Sequence, residues 1–438
     1  MQKEIVFIVR EYNHLDQITP IIDTLITSYK ITILLSDREY DYERDMNLQY
    51  LKNKYTTLKI VHLYTLYFQE TIFLKYIYTL YSQLVSKRDW ETHSLKKQIF
   101  RVPAYLLNKI LNNFIDKYII NFKTILLSLE IDTKNCLIVT DFGGDKLYEQ
   151  ILKQVKDLKI ITIGIVHGLN VHTNKILITN QLSFPKEEPN KKNFNYLDYL
   201  SYMITYCKEG YNHISSQIQE EKKSFLLKLP TLRYTKYWVN KKLENEAKFT
   251  TNMDYKLKIV YMVTSENYNM WTEEEFRTLK MLSMVDGINI VIKPHPRTLG
   301  TVAKMRSLES ENFKIVDNSI SSSSLIIWSD IVMISSSSIL IECVTQRKPI
   351  IYMKYLHCNS INIEKYKSLI YEVNTRDDLL NTVQLFLKDR NYSKIDNKEY
   401  NTYLYDYILN NDYVENSAKY STLFKNIFKK LDNNNASC

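Results

Sequence analysis

Glycine is scarce in this sequence, with only seven among 438 residues. Four of the seven lie within one short stretch, at Gly143, Gly144, Gly164 and Gly168. Glycine tolerates backbone angles that other residues avoid, and it lets a ligand approach the main chain closely. The cluster therefore predicts a functional site in this part of the chain.

Long apolar runs and patterned cysteines are lacking as well. No run of about 18 or more apolar residues occurs, so we expect no transmembrane helix. Residues 4–9 already read as a strand, and the residues before them have none of the features of a secretion signal. The five cysteines show no metal-ligand spacing and are interpreted as reduced thiols. We expect a cytoplasmic protein without a metal or other cofactor, with contact at the inner face of the cytoplasmic membrane left open.

The charge balance favours anionic partners without selecting one. The formal net charge is +9, which suits nucleotides, phosphorylated glycans or an anionic membrane face. No nucleic-acid partner is expected. A chain of this length is long enough for two domains, each with its own core.

The first half of the chain alternates apolar β-branched runs with helical patterns. The runs predict strands at 4–9, 31–36, 58–63, 136–140, 160–165 and 203–207. Continuous apolar strands separated by helices indicate a parallel sheet covered on both faces. From about 64 to 120 the pattern is helical, aromatic and basic. This region is interpreted either as an inserted helical layer whose aromatics pack inward, or as an acceptor or membrane-surface face.

The second half repeats this alternation of strands and helices after a polar, lysine-rich stretch at 237–255, which is predicted to link two domains. Strands are predicted at 257–263, 288–292, 313–316, 331–334 and 350–353, and helices at 375–387 and 405–431. The expected fold is α/β, with two Rossmann-like domains facing a cleft. The expected boundaries are 1–240, 255–400 and a C-terminal helical segment at 401–438.

A basic loop follows the second predicted strand of the second half, with the sequence Lys293-Pro294-His295-Pro296-Arg297. The two prolines fix the backbone on either side of His295 and stiffen the loop. Lys293, His295 and Arg297 together can neutralise a diphosphate or an ester phosphate without a metal. The alternative is a solvated basic turn.

A serine turn follows the strand at 331–334. Hydroxyls and free backbone N–H groups at the start of a helix bind phosphate oxygens well, and four serines exceed what helix capping needs. They are Ser335, Ser336, Ser337 and Ser338. Glu342 lies one helical turn further on, where a carboxylate either grips ribose hydroxyls or partners the helix dipole.

Polar residues at the ends of the first-half strands supply candidates for acid/base chemistry. Asp141 follows the strand at 136–140, and His167 follows the strand at 160–165. Such a pair can take the proton of an acceptor hydroxyl, although a turn-forming aspartate and a hydrogen-bonded histidine are the plainer interpretations. Glu11 and Glu266 are further strand-end carboxylates, and Arg233 is predicted to face the cleft from the hinge.

At these residues the chain resembles the GT-B glycosyltransferase superfamily. It is similar in particular to bacterial surface-carbohydrate enzymes of the CDP-glycerol glycerophosphotransferase and Kdo-transferase type. The similarity is strong over residues 257–359. The matching segments are 166–168 (Val-His-Gly), 230–234 (Pro-Thr-Leu-Arg-Tyr), 293–297, 329–342, 348–352 (Lys-Pro-Ile-Ile-Tyr) and 355–359 (Tyr-Leu-His-Cys-Asn).

The resemblance implies that the second domain holds the phosphate of an activated donor with His295 and the serines, and that Glu342 contacts its ribose. Glycerophosphate polymerases commonly have Asp-Tyr-Ser-Ser at the serine turn, whereas this chain has Ile334 before four serines. The difference favours a sugar donor, with CMP-Kdo as the leading example, and an oligosaccharide or lipid-linked glycan acceptor. The alternatives are a polyol-phosphate transferase, a UDP-sugar 2-epimerase and a non-catalytic partner in capsule assembly.

Overall fold

The structure is a computed structural model. It describes residues 2–10, 12–37, 42, 45–68, 72–90, 94–117, 121–141, 146–166, 195–216, 218–244, 249–250, 256–264, 270–295, 304–316, 320–358, 361, 364–390, 392 and 395–436.

Seven parallel strands form the first sheet, in the order β3-β2-β1-β4-β5-β6-β7. Alternate residues of the central strand β1 enter two different apolar clusters, so both faces of the sheet are packed. This two-sided burial is why the central strands read as continuous apolar runs. The strands are β1 Glu4–Val9, β2 Lys30–Leu35, β3 Lys59–His62, β4 Cys136–Asp141, β5 Ile161–Ile165, β6 Tyr202–Tyr206 and β7 Leu226–Leu229.

Helices connect these strands, and two long ones form the predicted helical insertion between β3 and β4. The insertion is a hairpin of α4 and α5. In chain order the helices are α1 Tyr12–Leu25, α2 Met46–Lys54, α3 Leu63–Tyr67, α4 Ile72–Trp90, α5 Ser94–Lys117, α6 Phe122–Ser128, α7 Lys146–Asp157, α8 Cys207–Ser215 and α9 Lys236–Leu243.

Six parallel strands form the second sheet, in the order β10-β9-β8-β11-β12-β13. They are β8 Leu257–Met262, β9 Ile288–Lys293, β10 Phe313–Ile315, β11 Ile331–Ile334, β12 Ile350–Met353 and β13 Ile370–Val373. The accompanying helices are α10 Thr272–Leu282, α11 Ser322–Trp328, α12 Ile339–Thr345, α13 Arg376–Lys388, α14 Asn397–Ile408 and α15 Tyr413–Ala436.

The last two helices join the two sheets. In α14, Asp406 accepts a hydrogen bond from the Tyr366 hydroxyl of the second half at 2.7 Å and pairs with Lys208 of the first half at 3.8 Å. In α15, Phe428 stacks on Tyr29 with ring centroids 4.9 Å apart. One apolar cluster consequently runs from the first sheet through these helices into the second sheet.

The predicted fold is confirmed: two parallel Rossmann-like sheets, a helical insertion and a long C-terminal helix. Two strands were not predicted, β7 and β13. Both are edge strands of four residues with an exposed charged residue, Lys228 and Glu372, so neither shows the continuous apolar run of a central strand.

The predictions for the linker and the last helix differ from the structure in detail. The linker stretch begins with helix α9, which buries Trp238 and Val239. The single helix predicted at 405–431 is two helices, because the chain turns at Leu409 with a φ of 69°. The Asp412 carboxylate then accepts the Glu415 N–H at 3.0 Å and caps the start of α15.

Candidate functional site

The register of the second sheet brings the basic loop and the serine turn to one edge. Met262 at the end of β8 pairs with Lys293 of β9 on one side and with Ile334 of β11 on the other. Neighbouring strands lie about 4.8 Å apart, so the ends of β9 and β11 are separated by roughly 10 Å. His295 follows β9 by two residues, and Ser335 follows β11 directly. The two predicted phosphate-binding elements therefore leave the same edge of the sheet, with the end of β8 between them.

The first two serines of the turn are buried and bonded to Thr264. Ser335 is buried and donates its hydroxyl to Thr264 Oγ1 at 2.9 Å. Thr264 Oγ1 also accepts the Ser336 N–H at 3.2 Å and donates to the Ser336 carbonyl oxygen at 3.0 Å. Thr264, which lies two residues after the end of β8, thus connects the serine turn to the neighbouring strand. The sequence analysis did not identify it, although its position at a strand end was a usable signal.

The last two serines are better placed for a ligand, since both are only half-buried. Ser337 Oγ accepts the Ile339 N–H at 3.4 Å. Ser338 precedes α12 but makes no side-chain capping bond, and its hydroxyl lies near that of Tyr234 from the first half of the chain. Ser337 and Ser338 are thus the more accessible of the four serines.

Lys293 and His295 differ in accessibility. Lys293 is the last residue of β9 and is buried, whereas His295 is half-buried beyond the strand end. His295 is therefore better placed to meet a ligand at this edge. Arg297 and Glu266 lie outside the described residues.

Glu342 lies on α12 and is buried. Its carboxylate accepts a hydrogen bond from the Ser323 hydroxyl of α11, and its charge acts on the nearby Tyr234 ring hydroxyl. The side chain thus links two helices of the second half, and the predicted contact with ribose stays a prediction.

The first sheet contributes the end of β4. Asp141 has no exposed side-chain surface, and its Oδ2 lies 3.4 Å from Nη2 of Arg10, the residue after β1. The carboxylate is therefore buried and engaged by a cation. Arg10 was not identified from the sequence, although it too stands directly after a strand. The other two candidate bases, His167 and Glu11, lie outside the described residues.

Arg233 and Tyr234 stand where the two halves meet. Arg233 Nη2 pairs with Asp16 of α1 at 2.8 Å, and its guanidinium lies 4.9 Å from the centre of the Tyr234 ring. Burial raises the pKa of Asp16, but Arg233 and Lys242 outweigh burial and lower this pKa to about 2. Arg233 also acts electrostatically on Tyr206 at the end of β6, as does Asp141. Tyr234 is in turn close to Ser338 and Glu342 at the start of α12. The carboxyl ends of the strands of the first sheet and the start of α12 are therefore neighbours.

Packing explains one glycine of the cluster, Gly164, without any role in a functional site. A Cβ added to Gly164 would lie 2.6 Å from Leu200 Cδ1. Gly164 is therefore a packing position in β5, and its backbone angles do not require glycine. Gly143, Gly144 and Gly168 lie outside the described residues. Among the residues that are described, no three His, Cys, Asp or Glu side chains come together in a way that could hold a metal ion.

The sequence matches no protein-family model and no curated protein. Solved structures do match. S. aureus MnaA in complex with UDP aligns with a TM-score of 0.55 and 11% identity, over 98% of this chain and 97% of that chain. The UDP-GlcNAc 2-epimerase from Neisseria meningitidis bound to UDP-GlcNAc has a TM-score of 0.54 and 11% identity, over 96% and 100%.

The wall teichoic acid polymerase TagF, soaked with CDPG, aligns with a TM-score of 0.50 and 14% identity, over 98% of this chain and 89% of that chain. At such identities the likeness establishes the fold. The chain has the GT-B fold that these proteins share, and no single family within it is singled out.

Proposed function

We propose that this chain is a glycosyltransferase that moves a sugar from a nucleotide-activated donor, with CMP-Kdo favoured, to a growing bacterial surface glycan. Residues 255–400 would hold the donor and residues 1–240 the acceptor, with 401–438 joining them. The register around Met262 carries the proposal, because it brings His295 and the serine turn to one edge of the second sheet.

In a transfer reaction, the residues at this edge of the second sheet must stabilise the negative charge that develops on the leaving phosphate. Lys293 and His295 supply positive charge, and the Ser337 and Ser338 hydroxyls supply hydrogen-bond donors. Donors and charges fixed in advance stabilise such a transition state without reorganising during the reaction. Arg297 and Glu266 are proposed to add to the donor contacts.

The acceptor hydroxyl must also lose a proton. We assign this role to Asp141, with His167 and Glu11 as alternatives. Since Asp141 is paired with Arg10, the assignment requires Arg10 to turn toward the donor phosphate when substrates bind. That movement would take the Arg10 charge away from the carboxylate and bring another positive charge to the leaving group.

A 2-epimerase is the second candidate. Its support is the alignment over nearly the whole chain with structures named as UDP-GlcNAc 2-epimerases. The two functions differ in one requirement, because an epimerase converts its UDP-sugar without an acceptor. A polyol-phosphate transferase would instead consume CDP-glycerol, and a non-catalytic assembly partner would bind no nucleotide.

A thermal-shift screen with CMP, CDP, UDP and GDP tests the proposal. A ligand that binds only the native state stabilises it by RT ln(1 + [L]/Kd), which is about 2.7 kcal/mol at a hundredfold excess over Kd. We expect CMP to raise the melting temperature of the wild type. His295→Ala should lose this rise and most of the turnover number while unfolding at nearly the wild-type temperature, because His295 is half-buried beyond a strand end.

His62→Ala is the matched control, since His62 ends an edge strand of the other sheet. It should keep the nucleotide response. An unchanged turnover number in His295→Ala would remove the mechanism, and a wild type that responds to none of the four nucleotides would support the non-catalytic alternative.

A further inference from the structure

Exposed apolar side chains are concentrated on the hairpin of α4 and α5. Of the 17 large hydrophobic side chains that are exposed within the described residues, eight lie on these two helices. They recur at helical spacing, so each helix carries an exposed apolar stripe. The stripe on α4 is Phe73, Tyr76 and Leu80, and that on α5 is Ile99, Val102, Tyr105, Leu106 and Ile110.

The opposite sides of the same helices are firmly packed. Leu74, Tyr78 and Tyr81 of α4 and Leu111 of α5 belong to the apolar cluster beneath the first sheet. The two interpretations of this region therefore apply to different residues: one set of aromatics packs inward, and another set faces outward. A hairpin anchored in this way holds its outer stripes on a stable platform.

The charge of the hairpin has one sign wherever its side chains are described. Lys75, Arg101 and Lys109 are exposed, and no Asp or Glu occurs among the described side chains of residues 73–85 and 99–114. A soluble surface usually mixes both signs of charge. Exposed aromatics among cations without carboxylates are the composition of segments that lie in the headgroup region of an anionic bilayer.

We propose that the outer side of the α4–α5 hairpin binds the surface of an anionic phospholipid bilayer, with the apolar stripes entering the headgroup region. A second copy of the chain fits this side less well, because two such hairpins would bring cations together with no carboxylate among the described side chains to offset them. None of the helices over the described ranges has the length and apolarity that crossing a bilayer requires. The binding proposed is at the surface, and it does not depend on the proposed enzymatic activity.

The position of the hairpin relates the proposed membrane binding to the proposed acceptor half. Helix α3 begins at Leu63, directly after the carboxyl end of β3, and leads into α4. The hairpin therefore leaves the first sheet on the side of the strands' carboxyl ends, where Asp141 also lies. A protein bound through this hairpin would hold its proposed acceptor half close to the membrane.

Sedimentation with vesicles tests the proposal with the full chain. We expect the protein to sediment with vesicles of phosphatidylcholine mixed with phosphatidylglycerol, and to bind vesicles of phosphatidylcholine alone far more weakly. Lys75→Gln, Arg101→Gln and Lys109→Gln combined should lower the partition coefficient about a hundredfold, at roughly 1 kcal/mol for each charge near the surface. Phe73→Ser, Tyr76→Ser and Tyr105→Ser combined should lower it at least about tenfold.

The control is Met284→Ser with Val414→Ser, which removes apolar side chains of similar exposure elsewhere, 70% and 74%. It should bind vesicles like the wild type, and every variant should show the wild-type circular dichroism spectrum. The proposal is overturned if the wild type binds neither kind of vesicle, or if the control loses binding as much as the hairpin variants. It is also overturned if sedimentation velocity shows a dimer that only the aromatic variant dissociates, because a second copy then covers this side.

Discussion

Thr264→Val tests whether one side chain holds the serine turn in place. The substitution keeps the shape of the side chain, but it removes an oxygen that makes three hydrogen bonds of 2.9, 3.0 and 3.2 Å to Ser335 and Ser336. The Ser335 hydroxyl and the Ser336 N–H and carbonyl would lose these partners in a buried place. A buried polar group without a partner costs about 1–3 kcal/mol. Because the Ser335 hydroxyl can rotate toward Tyr261, we expect a total loss of roughly 2–5 kcal/mol.

Urea unfolding followed by tryptophan fluorescence measures this loss. Trp328 reports on the second half, where it packs edge-on against Phe249 with ring centroids 5.2 Å apart. Thr19→Val is the matched control, because the buried Thr19 hydroxyl makes one hydrogen bond, to the Leu15 carbonyl oxygen at 2.6 Å. It should cost only about 0.5–1.5 kcal/mol.

A double variant separates the hydrogen bonds from other effects of the substitution. Adding Ser335→Ala to Thr264→Val removes both partners of one bond, so the pair should cost less than the sum of the single changes by about 1 kcal/mol. The reasoning is refuted if Thr264→Val costs no more than Thr19→Val, or if the two changes at the turn simply add.

Two further predictions concern stability. Burial raises the pKa of Asp23, but hydrogen bonds from Lys54, Tyr50 and Tyr55 outweigh it and lower this pKa from 3.8 to about 2. A lowered folded-state pKa contributes stability above about pH 4 that is lost as pH falls toward 2, here about 2 kcal/mol. The difference in unfolding free energy between wild type and Asp23→Asn should therefore shrink over that range, and a constant difference would contradict the assignment. Gly164→Ala should cost only about 1 kcal/mol in chemical denaturation, because its new Cβ would meet Leu200 Cδ1 at 2.6 Å and the end of that half-buried side chain must shift. Combining it with Leu200→Ala should cost less than the sum of the two changes, whereas strict additivity would show that the contact is not the cause.

The strands could be predicted where they are central and buried on both faces. β1 and β11 lie at the predicted positions because their apolar runs are continuous. The edge strands β7 and β13 could not be predicted in this way, since each is only four residues long and an exposed charged residue interrupts its apolar run. The difference in burial within the serine turn could not be predicted either, because four identical residues give no sign of which two are buried.

The sequence by itself determined the local features: which segments form buried parallel strands, and that basic and hydroxyl residues follow the ends of β9 and β11. The tertiary structure alone decided which of these residues meet and which are already engaged. Ser335 and Thr264 are 71 residues apart in the chain, Asp141 and Arg10 are 131 apart, and Glu342 and Ser323 are 19 apart. A hydrogen bond or ion pair acts only over a few ångströms. Strand order, register and helix packing bring such distant residues within that range, and no local pattern encodes them.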